Sequence, residues 1–263
     1  MLSIGSPSDP PLFEVSAPMA DPRGPDTLEG VARVYFAHRS TRVILASLIP
    51  LVGVRIWLGA WRPWDAGIAL ITTAAWPFFE WIFHIVIHLR PTRILGVTFD
   101  PLPSREHRLH HVDPTIVDHT LMPPHTLFLM AVASVVGFGL LLGPGLGVTA
   151  AICLHLGGLA NGWTHLLTHT RYRPRSRFYR WVRRTHTLHH FKNEGYWFAF
   201  TGPFVDVLFG SHRDPTEVPT SPACTARSSA HAGPSVPSEE MVSGRRRIGA
   251  EKELSDEVDQ LGA

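Results

Sequence analysis

His84-x3-His88 is followed after 18 residues by His107-x2-His110-His111, and further on His165-x3-His169 is followed after 16 residues by His186-x2-His189-His190. On a helix, the i, i+4 spacing of His84 with His88 and of His165 with His169 puts two imidazoles on one face. The i, i+3, i+4 spacing of each HxxHH puts three there. Imidazole is a neutral nitrogen ligand for divalent metals. Ten of them are more than one ion can use; they suit two ions taking four to five rings each, with positions left open for a small molecule. A single HxxxH arises often by chance, and a lone histidine is more commonly a core or surface residue. Two copies in one order, with similar gaps, point instead to a di-metal site. The pattern is not that of a zinc protease, because Ile85 and Leu166 follow the leading histidines where HExxH requires glutamate. No nearby carboxylate is placed to serve as the base of a hydrolase.

The same spacing argument picks out two residues beside the ligands. Glu80 stands four residues before His84, and Asn161 four before His165. Each falls on the histidine face of its helix, one turn further in. A carboxylate there needs a partner, and metal-bound imidazoles usually donate their free N–H to an acceptor. Glu80 is therefore expected to accept from His84, with Asn161 a weaker counterpart near His165. His38, His119, His125, His155, His212 and His231 belong to neither repeat and are not expected to be ligands.

The elements that must position these rings are apolar. Of 263 residues, 44% are hydrophobic, and the mean hydropathy of +0.06 is high for a chain whose two ends are polar and proline-rich. The apolar residues are therefore concentrated in the middle. Four stretches are long enough to be membrane helices: 41–61, 67–88, 125–142 and 146–169. Arg55 near one end of the first can snorkel. The second is interrupted by Pro77, Pro123-Pro124 precede the third, and Gly143-Pro144-Gly145 leaves room only for a hairpin before the fourth. The expected fold is all-α, an integral membrane protein with about four transmembrane helices. Hairpins that enter and return without a full crossing, made by the first two helices or the last two, fit the same pattern. Residues 1–30 read as a disordered, polar leader and 213–263 as a disordered tail, flanking a membrane-embedded domain over 31–212.

Charge orients this bundle. With the N-terminus in the cytoplasm, the segments following the second and fourth helices carry Arg90, Arg93, Arg105, Arg108 and then Arg171, Arg173, Arg175, Arg177, Arg180, Arg183 and Arg184. The opposite side has only Arg62. All ten histidines then face the cytoplasm. The net charge of +2 and the lack of a basic stripe interleaved with aromatics speak against a nucleic-acid partner. Cys153 and Cys224 lie too far apart in sequence and setting to suggest a disulfide framework or a cysteine zinc site.

EWIFHIVIH, REHRLHHVDP, THLLTHTRYRPRS, HTLHHFKNEGYWFAF and PFVDVLFGS together resemble the fatty acid hydroxylase superfamily of membrane di-iron oxygenases, over roughly residues 77–211. That family includes fatty acid 2-hydroxylases, sterol desaturases and C-4 methyl sterol oxidases. The resemblance implies the same ten histidines as ligands of two iron ions, O2 as co-substrate and a lipid substrate taken from the bilayer. It also implies a separate electron donor of cytochrome b5-like or ferredoxin-like type, since nothing here resembles the fused cytochrome b5 domain of some relatives. The reaction implied is hydroxylation of an acyl chain. A desaturase or a sterol or carotenoid oxidase is the alternative within the family, and a membrane metal transporter or storage protein the alternative from another class. A transporter places its ligands near the bilayer midplane on broken helices; here they cluster at one interface.

Overall fold

The computed structural model describes residues 19–225. The greater part of the polar leader and tail, with His231, lies outside them. Helices dominate: α1 (Leu28–Ala37), α2 (Arg39–Leu58), α3 (Pro63–Ile87), α4 (Leu102–Val112), α5 (Val117–Thr120), α6 (Pro124–Thr168), α7 (Arg177–Phe191) and α8 (Phe204–Leu208). Thr27 caps α1 through its side chain, which accepts from the Gly30 N–H, and His38 does the same for α2 through Ser40. α3 and α6 both begin on proline, where a missing N–H costs nothing.

Three stretches are long and apolar enough to cross a membrane: Arg39–Leu58, Pro63–Ile87 and Val117–Thr168. Their most apolar windows are little covered by protein, with 17%, 17% and 6% of residues buried. In water that arrangement would leave large apolar surfaces bare. A hydrocarbon surround removes the penalty.

The division expected at Gly143-Pro144-Gly145 takes the form of a break inside α6. Gly143 has φ +76° and ψ 171°, which only glycine adopts freely, and Pro144 follows. A Cβ on Gly147 would stand 2.6 Å from the Phe138 carbonyl oxygen, although nine residues span about 13 Å along a straight helix. The chain has therefore doubled back. Val148 and Ala151 of the second half pack with Val135 and Phe138 of the first and with Leu51 of α2.

α6 packs against both α2 and α3 and forms the centre of the bundle. Arg55 does not snorkel: it is 2% exposed, and its guanidinium meets Asp65 of α3 at 2.5 Å and Thr149 of α6 at 2.9 Å. A charge held among helices keeps its partners within the bundle, because reaching water would leave Asp65 unpaired. α3 continues through Pro77 as one helix. The all-α expectation has one exception. In the polar segment after α3, β1 (Thr92–Ile94) pairs antiparallel with β2 (Val97–Phe99). Leu95 and Gly96, at φ +49° and +82°, form the positive-φ turn that suits such a hairpin. The packed chain also continues past 212, with Val218 and Cys224 buried. Ser221 N–H donates to the Lys192 carbonyl and Asn193 Nδ2 to the Pro219 carbonyl, holding this segment to the end of α7.

Candidate metal centre

Four helices end at the same place. His84 lies in the last turn of α3 and His88 caps it; His165 and His169 stand likewise on α6. α4 carries His107, His110 and His111, and α7 carries His186, His189 and His190, each triplet at its helix's C-terminal end. Pro91, Pro114 and Pro174 stand two to six residues beyond the ends of α3, α4 and α6, so none of those helices can run on far. The consequence is electrostatic as well as geometric. Each helix presents the negative end of its dipole, equivalent to about half an elementary charge, to one small volume, and that favours a cation.

All ten histidines meet there, in two groups that cut across the sequence repeats. One contains His84, His88, His107, His111 and His189; the other contains His110, His165, His169, His186 and His190; within each, the ligand nitrogens lie within 4.8 Å of one another. His110, from the first repeat, sits with the second set, and His189 makes the reverse exchange. On α4 and α7 the i and i+4 rings lean one way and the ring between them the other, so each helix serves both groups.

The distances within each group are those of ligands. His107 Nε2 lies 3.2 Å from His84 Nε2, 3.0 Å from His88 Nε2 and 3.2 Å from His111 Nε2. His186 Nε2 lies 2.8 Å from His169 Nε2 and 3.0 Å from His190 Nε2. His165 and His110 Nε2 are 3.0 Å apart. One ring nitrogen holds either one proton or one lone pair, so His107 cannot hydrogen-bond three others at once. Imidazole nitrogens about 2.1 Å from a common ion and at right angles are about 3 Å apart. Two divalent ions fit the residues present.

Burial, and next the neighbouring imidazoles, hold His107, His110, His111, His186, His189 and His190 well below the usual histidine range. Burial likewise holds His169 down at about 3. At neutral pH these rings are in the unprotonated form that a metal requires.

The far side of several rings is fixed by backbone. His84 Nδ1 donates to the Phe198 carbonyl at 2.6 Å and His189 Nδ1 to the Tyr196 carbonyl at 2.7 Å. His169 Nδ1 reaches the Met19 carbonyl at 3.2 Å. Donation from Nδ1 leaves the Nε2 lone pair facing the group. Residues 196–201 thus form a strap across the site, and two buried carboxylates hold it. Asp206 of α8 accepts from the Phe198 and Ala199 N–H groups at 3.1 and 2.8 Å, from Ser211 and from Trp81 Nε1. Glu80 accepts from the N–H of Phe200 and from both the N–H and the hydroxyl of Thr201.

Glu80 therefore does not accept from His84 as its spacing suggested; it holds the strap whose carbonyl does. Asn161 stands beside Glu80, and among the described residues no hydrogen bond joins it to His165. Spacing along one helix correctly placed both on the histidine side but could not show a third segment entering between. Asp206 and the Tyr196 and Phe198 carbonyls were not singled out from the sequence. The one available signal was the D-x-x-FG stretch, since carbonyl acceptors have no side-chain signature.

Four of the other five described histidines are engaged elsewhere. His38 pairs with Asp118 at 2.9 Å, His119 with Glu106 at 2.9 Å, and His212 stacks on Trp181. His155 contacts the Ala151 carbonyl in its own helix.

An apolar cavity between α2, α3 and α6 leads to the site. Ile44, Phe79, Phe83, Leu127 and Met130 line its length, and His84, His107 and His165 close one end. Phe200 stands at that end and touches both groups. Its ring centroid is 5.1 Å from His84, 4.7 Å from His165 and 4.6 Å from His186.

Comparison with known proteins agrees with this architecture. The solved structure of full-length Scs7p, in which only the hydroxylase domain is visible, matches with a TM-score of 0.55 at 17% sequence identity, covering 75% of this chain and 70% of that one. At such identity the likeness speaks for the fold. No curated protein sequence matches the chain. The fatty acid hydroxylase family model matches residues 69–211, more than half of the 263 residues and a span that holds both histidine groups, the strap and Asp206. The chain belongs to the fatty acid hydroxylase family.

Proposed function

We propose that this protein is a multi-pass membrane di-iron oxygenase that hydroxylates a lipid, with O2 as co-substrate. The observation that carries the reading is the apolar cavity ending on both imidazole groups at once, with Phe200 packed against each. The family supports iron among the metals that imidazole accepts. His84, His88, His107, His111 and His189 would hold one ion; His110, His165, His169, His186 and His190 the other. When bound, two irons share the electrons needed to use dioxygen against an unactivated C–H bond. In balance, one oxygen atom enters the C–H bond, and the other leaves as water with two electrons and two protons from a donor.

The chain's own residues do the rest. Phe79, Phe83 and Leu127 hold an alkyl chain out of water, and Phe200 sets how closely its carbon approaches the metal groups. Glu80 and Asp206, through the strap, keep His84 and His189 aimed. We place the doubled-back α6 as two crossings, making four, with the arginine-rich segments and the site on the cytoplasmic side. The arginines around α7 would receive an acidic electron carrier, a separate cytochrome b5-like or ferredoxin-like protein.

The test is mass spectrometry of lipid extracts from cells with the gene, without it, and with His84→Ala. A lipid that gains one oxygen only with the intact gene is the expected result. A loss of two hydrogens would identify a desaturase instead, and lipid profiles identical in all three strains would refute the reading.

A further inference from the structure

The cavity has a second end, and it is not purely apolar. His155 lines it at 6% exposure, ten residues before His165 on α6, about 15 Å along the helix axis from the metal groups. Its Nδ1 lies 2.7 Å from the Ala151 carbonyl, a partner that can only accept, so Nδ1 donates to it. Nε2 is then a bare acceptor, and it has no hydrogen-bond partner among the described residues. Trp76 lines the same cavity, and its indole N–H is also buried without a partner. The Trp76 side chain packs on the stretch of α6 that carries His155. The Trp76 ring lies on Gly157, where an added Cβ would be 2.3 Å from it, and reaches Gly158, one helical turn from His155.

A purely hydrocarbon tail would leave both groups unsatisfied in a medium without water, at a cost that leucine and phenylalanine in their place would avoid. The two groups are complementary in kind, one able only to donate and the other only to accept. A hydroxyl satisfies both. A ketone would satisfy the indole alone, and a charged headgroup would be far costlier at that depth.

We propose that the inner end of the cavity, at Trp76 and His155, binds a hydroxyl group already present on the lipid, about 15 Å from the carbon brought to the metal centre. This rests on the lipid-oxygenase reading and names its substrate class: an oxygenated lipid, not a plain alkyl chain. The reaction that supplies the substrate must then itself install or retain a hydroxyl.

The test uses the full-length, iron-loaded protein in detergent and a labelled unsubstituted long-chain fatty acid, displaced by matched acids. One series carries a hydroxyl moved stepwise along the chain, a second carries a ketone at the same positions, and a third is unsubstituted. The hydroxy acid is expected to bind on the order of tenfold more tightly than the unsubstituted one at its best position, with the keto acid between them. His155→Leu should abolish the preference for hydroxyl over ketone, and Trp76→Phe the preference for ketone over methylene. Both variants should keep the iron content and bind the unsubstituted acid at least as tightly as the wild type does, since the unsatisfied groups are gone. Equal affinity for all three in the wild type, as a resident water serving both groups would produce, overturns the inference and leaves the oxygenase reading standing. So does a hydroxyl preference that survives both variants. Failure of every acid to bind, with iron present, overturns both readings together.

Discussion

Glu80 is joined to a histidine group through the backbone and not by direct contact. Its carboxylate accepts from Phe200 and Thr201, and the Phe198 carbonyl of the same strap fixes His84. Glu80→Gln keeps the shape but turns one acceptor into an N–H donor facing N–H groups. We expect iron content or turnover to fall roughly 10- to 100-fold with the helical fold retained, and Asn161→Ala to cost less. Metal analysis per chain alongside circular dichroism checks this; wild-type iron and turnover in Glu80→Gln would reduce the carboxylate to a packing role. The sequence reading reached the ten histidines because four-residue spacing survives any tertiary arrangement. It missed where Glu80 points, because the strap that intercepts it begins 116 residues later, at Tyr196.

At the scale of elements, α4 and α7 each straddle the two imidazole groups, and that predicts a pattern of coupling. Histidines of one group should fail together even when they lie on different helices, as His84 of α3 and His189 of α7 do. His84→Ala/His189→Ala should therefore lose little more metal than either single variant. His84→Ala/His110→Ala, two changes within one sequence repeat but in different groups, should lose both ions. Elemental analysis of the four proteins decides it, and a partition that followed the sequence repeats would show the reverse. Which ion each ring serves was not legible in the HxxHH spacing. Rings at i+3 and i+4 lie on one broad face, and only the helices packed on either side divide it. The membrane helices were legible as apolar runs, whereas α1 and the β1–β2 hairpin, short and set by local turn chemistry, were not.

For the whole molecule, the proposed sidedness can be checked by labelling. In a chain with Cys153→Ser and Cys224→Ser, Leu95→Cys and Arg175→Cys are expected to react with an impermeant maleimide from the cytoplasmic face. Ala60→Cys and Gly145→Cys should react only from the opposite one. Labelling of all four from one face would mean paired hairpins that enter and return. Arg55, joined to Asp65 and Thr149, ties α2, α3 and α6 at the end of the bundle remote from the histidines, so the cavity between them is braced at both ends.

The crossing of ligands between the two repeats has a consequence for dividing the protein. Cut at Gly143, the first fragment keeps His84, His88, His107 and His111 but lacks His189; the second keeps His165, His169, His186 and His190 but lacks His110. Each half donates one ring to the other, as two hands clasp. Co-expressed halves can complete either five-histidine set only by reassembling, so metal bound by the mixture beyond what the separate halves bind is a direct readout of their association.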